Sequence, residues 1–399
     1  MSSDLRFRIE QRTTQPLLKA ERPYEDFCLG WLNVLREGGL WHMWYAALDH
    51  NYKDDRDSYL CYARSTDGLH WERPDLGLFE YAGSRDNNIL LNGADIGGLH
   101  GHHVFRDEQA PPEQRYKMAF VSCNMKGDRG SNRGKPRLET SPNPDESGGA
   151  PKRDGSRLGT PLGTPIEPAA WWVYGGVSAD GLRWRILPEP LLKHNSDTQQ
   201  AIIREPDRYR LYVRMWTVEP YGGYRLVGYT ESKTFGDFPR PSVILAPDPR
   251  DPKDLHFYNS AATKLADGLV PSEVEGLYVM FPSAFYTGDG TVRPHLAVSR
   301  DGRNFQRAGR EGTPIPTNRE GPPNATVRVW GPHWGPPLLE PGAGFDDKGL
   351  YVAPGAIPGP RPGSWWFYYV GTRTKHDDNV PKNVRYEGGY GRFLLALER

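Results

Sequence analysis

The chain is patterned in short runs rich in Tyr, Trp, Met and aliphatic residues, each ended by Gly, Pro, Asn or Asp. Five of these runs read as the returning strands of β-hairpins: LWHMWYAAL (40–48), YKMAFVS (116–122), YRLYVRMW (209–216), LYVMFPS (277–283) and WWFYYVG (365–371). Each follows a turn-forming stretch: REGG, DEQAPPEQ, EPDR, the segment near Ser272, and GPRPG. A second repeat lies downstream of the hairpins: STDGLHW (65–71), SADGLRW (178–184) and SRDGRNF (299–305), with a weaker relative TESKTFGDF at 230–238. Asp-Gly makes a tight turn because Gly accepts positive φ and Asp bonds nearby backbone N–H groups. A hairpin, this turn and an outer strand give four strands per unit, which is a propeller blade.

The pattern therefore predicts an all-β chain: one five-bladed β-propeller of four-stranded antiparallel blades, a single domain over 1–399. Blade boundaries fall near 25–90, 91–193, 194–246, 247–312 and 340–399. Residues 124–170, rich in Gly, Pro, Ser and Arg, read as a flexible insertion, with a lid over the site as the alternative. The last unit lacks an outer strand after RFLLALE (392–398), and LRFRIEQ (5–11) is expected to supply it and close the ring.

Composition narrows the partners. Fifty Lys and Arg balance fifty Asp and Glu over 399 residues, so no global field draws the protein to nucleic acid or an anionic membrane. A small carbohydrate is the expected partner. The three cysteines (Cys28, Cys61, Cys123) form no C-x-x-C pair and read as free thiols. The N-terminal stretch lacks the apolar core of a secretory signal, and no stretch is apolar enough to span a bilayer, so a cytoplasmic location is expected.

In a propeller the inner strands line a channel, and polar residues at their starts converge at one mouth. Aligned hairpins put Glu25 and Asp26 there from the first unit and His100, His102 and His103 from the second. The third gives Asp197 and Gln199, the fourth Asp254, His256, Tyr258 and Asn259, and the fifth Asp346. Any one such Asp is more often a turn residue; five at matching positions point to a site. Carboxylates pushed together shift one another's pKa, which lets one act as acid and another as base. Arg64, Arg214, Arg373, His295 and His376 lie on adjoining strands or upper loops, and Trp216 and Tyr221 are candidates to stack on a sugar.

These features resemble the five-bladed propeller glycosidases of the invertase/levanase and arabinanase/xylosidase type and their uncharacterised bacterial relatives. The resemblance runs from about Arg22 to the C-terminus through STDGLHWERPDLGL, HVFRDEQAPPEQRYKMAF, SDTQQAIIREPDRYRLYVR and LAVSRDGRNF. It implies a glycoside hydrolase. Invertase-like enzymes carry acidic motifs that this chain departs from: no Asp follows Asn33 in WLNVLREGG, and Asp107 and Glu205 fall at hairpin turns on the far face. The expected catalytic residues are instead Asp26 or Glu25, as nucleophile or base, and Asp197 as acid. His102, His103, Gln199, Arg214, Asp254, Tyr258, Asn259, Asp346 and His376 are expected to hold substrate.

No cofactor is required by this reading. The alternatives are a metal-dependent sugar lyase or other sugar-modifying enzyme, with His103, His295 and His376 as candidate ligands of a divalent metal, and a non-catalytic propeller that binds carbohydrate or protein.

Overall fold

The structure is a computed structural model that describes residues 7–123, 171–219, 222–265, 274–308, 337–376 and 387–398. The expected insertion at 124–170, Tyr221 and the turn near Ser272 lie outside the described residues. Within them the chain is all-β, with short 3-10 turns and no α-helix.

Four sheets have four strands each, in chain order. The first holds Cys28–Glu37, Leu40–Leu48, Ser58–Ser65 and Ile89–Asn92; the second His100–Arg106, Tyr116–Cys123, Trp171–Ser178 and Arg185–Ile186. The third holds Ala201–Glu205, Arg208–Val218, Gly222–Ser232 and Ser242–Leu245; the fourth Thr263–Lys264, Tyr278–Met280, Ala297–Ser299 and Gln306–Arg307. These are propeller-like blades.

The expectation of five four-stranded blades is corrected here. The remaining strands form one eight-stranded sheet: Phe7–Arg12, Gly388–Leu397, Ser364–Thr372, Gly349–Val352, Thr291–Pro294, Ser283–Tyr286 and Leu255–Phe257, with Ile357–Pro358 on Ser364–Thr372. The cause is local. LYVMFPS reads as one strand, but Pro282 has no N–H to continue a ladder, and pairing breaks there. Tyr278–Met280 stays in the fourth sheet, while Ser283–Tyr286 leaves to form a separate hairpin with Thr291–Pro294. One parallel pair, Val292 with Gly349, joins that hairpin to the C-terminal strands. At the other edge Phe7–Arg12 pairs antiparallel with Gly388–Leu397, with a bulge between Ile9 and Gln11.

The Asp-Gly repeat builds three near-identical turns. Ser65 Oγ accepts from Gly68 N at 2.8 Å, and Asp67 Oδ1 accepts from Leu69 N at 2.7 Å and His70 N at 2.8 Å. Asp180 and Asp301 do the same. The glycines hold φ of +71°, +73° and +70°, where only Gly is unstrained. Each turn then receives an aromatic from a neighbouring sheet. Tyr368 donates to Gly68 O at 2.9 Å, Trp44 to Gly181 O at 2.6 Å and Tyr212 to Gly302 O at 2.6 Å. A Cβ at Gly181 would sit 2.7 Å from the Trp44 ring. The repeat is thus a latch between sheets, and its aspartates are engaged in the turns themselves.

Candidate functional site: an aromatic cup at the channel mouth

The starts of the inner strands are tied together by side-chain amides and histidines. Gln199 donates to Leu32 O at 2.8 Å and His102 O at 2.9 Å. Asn33 accepts from Val104 N at 3.0 Å and donates to Pro354 O, and Asn259 donates to Val352 O. His103 Nδ1 accepts from Ile202 N at 2.8 Å, and His102 Nε2 meets Trp44 O at 3.2 Å. Burial holds His102 down to about 4 and His103 to about 3, so both are neutral at pH 7. These four expected substrate contacts, His102, His103, Gln199 and Asn259, are buried clamps between strands. None lines the cavity.

Gly101 fixes what sits beside them. At φ +58° its Cα meets the next loop so closely that a Cβ would collide with Thr198 O, and Gln200 N donates to Gly101 O. This contact locks the loop carrying Asp197 against the strand carrying His100.

Above the clamps opens a cavity of about 410 Å³, whose lining includes Trp31, Asp55, His100, Tyr258, Tyr351, Lys375 and His376. Its aromatics pack on one another. Trp31 stacks on Tyr258 with centroids 6.2 Å apart and meets Tyr351 edge-on at 5.6 Å, and His376 lies 4.5 Å from Tyr258. Three charged groups adjoin the lining residues. Arg214, its side chain 1% exposed, donates to Asp197 Oδ1 at 2.7 Å and through Nε and Nη2 to Tyr258 O, with its guanidinium 3.9 Å from the Tyr258 ring centre. Arg225 adds a second cation 5.7 Å from the same ring. Asp55, in the 3-10 turn Asp55–Asp57, accepts from Tyr52 Oη at 3.1 Å and lies 3.2 Å from His100 Nδ1.

Asp197 is not itself part of the cavity lining; its side chain is 41% exposed. Burial would raise its carboxyl, but Arg214, then His100 and Arg225, hold it below the usual range. A carboxyl held low suits a base or nucleophile better than the donor role expected of it. His100 is the opposite case. Burial would lower it, but Asp55, with Tyr258 and Asp197 behind, raises it to about 9. The Trp31 indole N–H, 3.3 Å from Nε2, favours the neutral ring. That contact makes Nε2 an acceptor and opposes the raise from Asp55. Tyr258 is pulled below the ordinary phenol range: burial opposes this, and His376, Arg214 and Arg225 outweigh it.

The other expected site residues lie elsewhere. Glu25 is fully buried; it accepts from Arg73, Tyr45 and the backbone N–H groups of Glu21 and Arg22, which leaves no face for a substrate. Asp26 accepts from His50 N and meets its ring, outside the cavity lining. Asp254 accepts from Gly288 N, and Asp346 is buried against Arg12 and Tyr369. His295 is buried beside Tyr286. Arg64 and Arg373 pair with Glu72 and Glu387, and Trp216 is buried under Arg225. Asp107 and Glu205 close hairpins in ion pairs with Arg204 and Arg210. Among the described residues no three His, Cys, Asp or Glu side chains gather as a metal site would need. Thus Asp197, Arg214, Tyr258 and His376 come together, with His100 between Asp197 and Asp55. Trp31, Asp55, Arg225 and Tyr351 went unread in the sequence.

No family model matches the chain, and no curated protein matches it. Solved structures do. A structure named glycoside hydrolase (15% identity, TM-score 0.54) covers 97% of this chain and 92% of its own. An N-acetylgalactosamine deacetylase from F. plautii, in complex with blood group B trisaccharide (13%, 0.53), covers 98% of this chain and 95% of its own. A glycosyl hydrolase from Bacteroides ovatus (11%, 0.51) covers 98% of this chain and 94% of its own. At these identities the likeness is one of fold: the chain shares the propeller-like all-β architecture of carbohydrate-active enzymes over nearly its whole length.

Proposed function

We propose that the protein is a glycosidase-like hydrolase that cleaves a small saccharide or glycoside at the channel mouth. One observation carries this reading: an aromatic cup about 410 Å³ in volume is lined by Trp31, Tyr258 and Tyr351, and the part-exposed Asp197 is paired to the Arg214 that packs on Tyr258. Aromatic faces suit the C–H faces of a sugar ring, and an ionised carboxylate suits an anomeric carbon that gains positive charge. The carbohydrate-active neighbours of the same fold support it. Asp197 acts as base or nucleophile, while Trp31, Tyr258 and Tyr351 cradle the ring. No metal or other cofactor enters the scheme.

The test is turnover of a panel of aryl glycosides and natural disaccharides by the wild type and by Asp197→Asn. Activity in the first and a loss of about 10³-fold or more in the second is expected. A second reading, a non-catalytic sugar-binding propeller, is favoured by one fact: Glu25 and Asp26, the carboxylates expected to work with Asp197, are both engaged by protein groups. Saccharide binding without turnover across the panel would establish it.

A further inference from the structure

We infer that this cavity seats an aromatic aglycone, so that the substrate is a glycoside whose leaving alcohol or phenol carries an aryl ring, and not a disaccharide. The inference rests on the glycoside-cleaving reading above and names the class of compound on which it acts.

The polar side chains of the lining carry it. A second sugar ring would bring several hydroxyls into the cavity, and each needs a partner once it leaves water. Most of the polar groups here are engaged with one another. His100 accepts the Trp31 indole N–H at Nε2, 3.3 Å away, and meets Asp55 through Nδ1 at 3.2 Å. Asp55 also accepts from Tyr52 Oη at 3.1 Å. Ser58 Oγ lies 2.6 Å from Asp55 O and 2.8 Å from Leu99 O, so its proton goes to the main chain. Thr372 Oγ1 donates to Thr374 O at 2.9 Å, and Glu387 pairs with Arg373. Thr374 Oγ1 is a buried lining hydroxyl without a protein partner, enough to hold one ligand oxygen.

The remaining wall is apolar. Phe27, Cys28, Leu29, Leu48, Leu99 and Val370 line it, and the first four are only partly buried by the protein. Phe27 to Trp31 all contribute to the lining, although strict alternation along a strand would turn every second side chain away. A one-residue register shift between Leu29 and Leu32, against the strand Leu40–Leu48, removes that alternation. An apolar wall with few polar anchors is the make-up of a site for the apolar body of a small molecule. Phe27 and Tyr52, stacked with centroids 6.0 Å apart, add two rings to Trp31, Tyr258 and Tyr351. Five rings around one cavity favour a flat aromatic guest, in offset or edge-on contact, over a saturated one.

The experiment compares the ethyl, 2-cyclohexylethyl and 2-phenylethyl glycosides of a sugar that the wild type releases. All three lose a primary alcohol, which holds the chemistry of the leaving group constant. Wild-type kcat/KM should be about 10- to 100-fold higher on the 2-phenylethyl than on the ethyl glycoside. It should exceed that on the 2-cyclohexylethyl glycoside at least about threefold. Leu48→Trp fills the cavity from the strand that pairs with Cys28, and it should bring the phenylethyl-to-ethyl ratio to within about threefold of one. Cys28→Phe does the same from the facing strand, and a melting curve shows which variants fold. Equal wild-type kcat/KM on the ethyl and 2-phenylethyl glycosides overturns the inference while the hydrolase reading stands. So does the absence of any advantage of phenyl over cyclohexyl, or a ratio unchanged in the folded variants. Turnover of no glycoside overturns that reading, and the substrate assigned here with it.

Discussion

Glu25→Gln separates structure from catalysis at the position the sequence put forward as nucleophile. Glu25 accepts five hydrogen bonds: Arg73 Nε and Nη2 at 2.9 Å each, Tyr45 Oη at 2.6 Å, and Glu21 N and Arg22 N at 2.9 and 3.1 Å. Its side chain is 0% exposed and that of Arg73 is 9% exposed. An amide in its place turns one acceptor into an N–H₂ group that faces donors, and leaves Arg73 short of its countercharge. Breaking one side of a buried ion pair costs about 3–5 kcal/mol. In a chain longer than the 150–250 residues for which each kcal/mol is worth about 2–4 °C, a drop in Tm of roughly 5–10 °C follows. The assay is thermal unfolding paired with kcat on the best glycoside found, measured well below the transition. The folded variant should keep kcat within about threefold. A kcat lowered about 10³-fold with Tm unchanged would overturn the structural assignment and return Glu25 to the catalytic set.

Other outcomes follow from the same geometry. Gly101→Ala drives a Cβ into Thr198 O, so the Asp197 loop must shift; activity should fall at least about 10²-fold, checked by kcat/KM beside the Tm. Trp44→Phe removes the latch to Gly181 O and should cost about 1–2 kcal/mol in denaturant unfolding with catalysis unchanged. Deleting residues 1–12 bares the edge strand Gly388–Leu397 and unpairs buried Asp346 from Arg12; light scattering should report association that the full chain lacks. Activity should persist on the acid side to a pH below the ordinary Asp range, because Arg214 keeps Asp197 ionised; a plot of kcat/KM against pH measures that limb.

The returning strands were legible because their signal is local. LWHMWYAAL matches the strand Leu40–Leu48 residue for residue, and the Asp-Gly turns follow from the chemistry of Ser, Asp and Gly over a few positions. The pairing of the N-terminal strand with Gly388–Leu397 was legible from a missing edge. The eight-stranded sheet was not. It depends on a break at Pro282 and on the long-range pair Val292–Gly349, which periodicity cannot encode. The site divides in the same way. Register placed Asp197, Tyr258 and the second unit's histidines near the mouth, but the side chains' partners decided their roles: Arg73 claims Glu25, and Asp55, 45 residues from His100, claims the imidazole. Asp55 sits in a loop turn with no motif around it.

If the cup cleaves glycosidic bonds with Asp197 as its ionised carboxylate, everything turns on that one side chain. Release of reducing sugar from the glycoside panel, by wild type and by Asp197→Asn, each confirmed folded by circular dichroism, decides it. Turnover by the wild type on at least one substrate and its near-complete loss in the variant are expected. Equal rates in the two proteins, or wild-type binding without any turnover, would remove Asp197 from the chemistry.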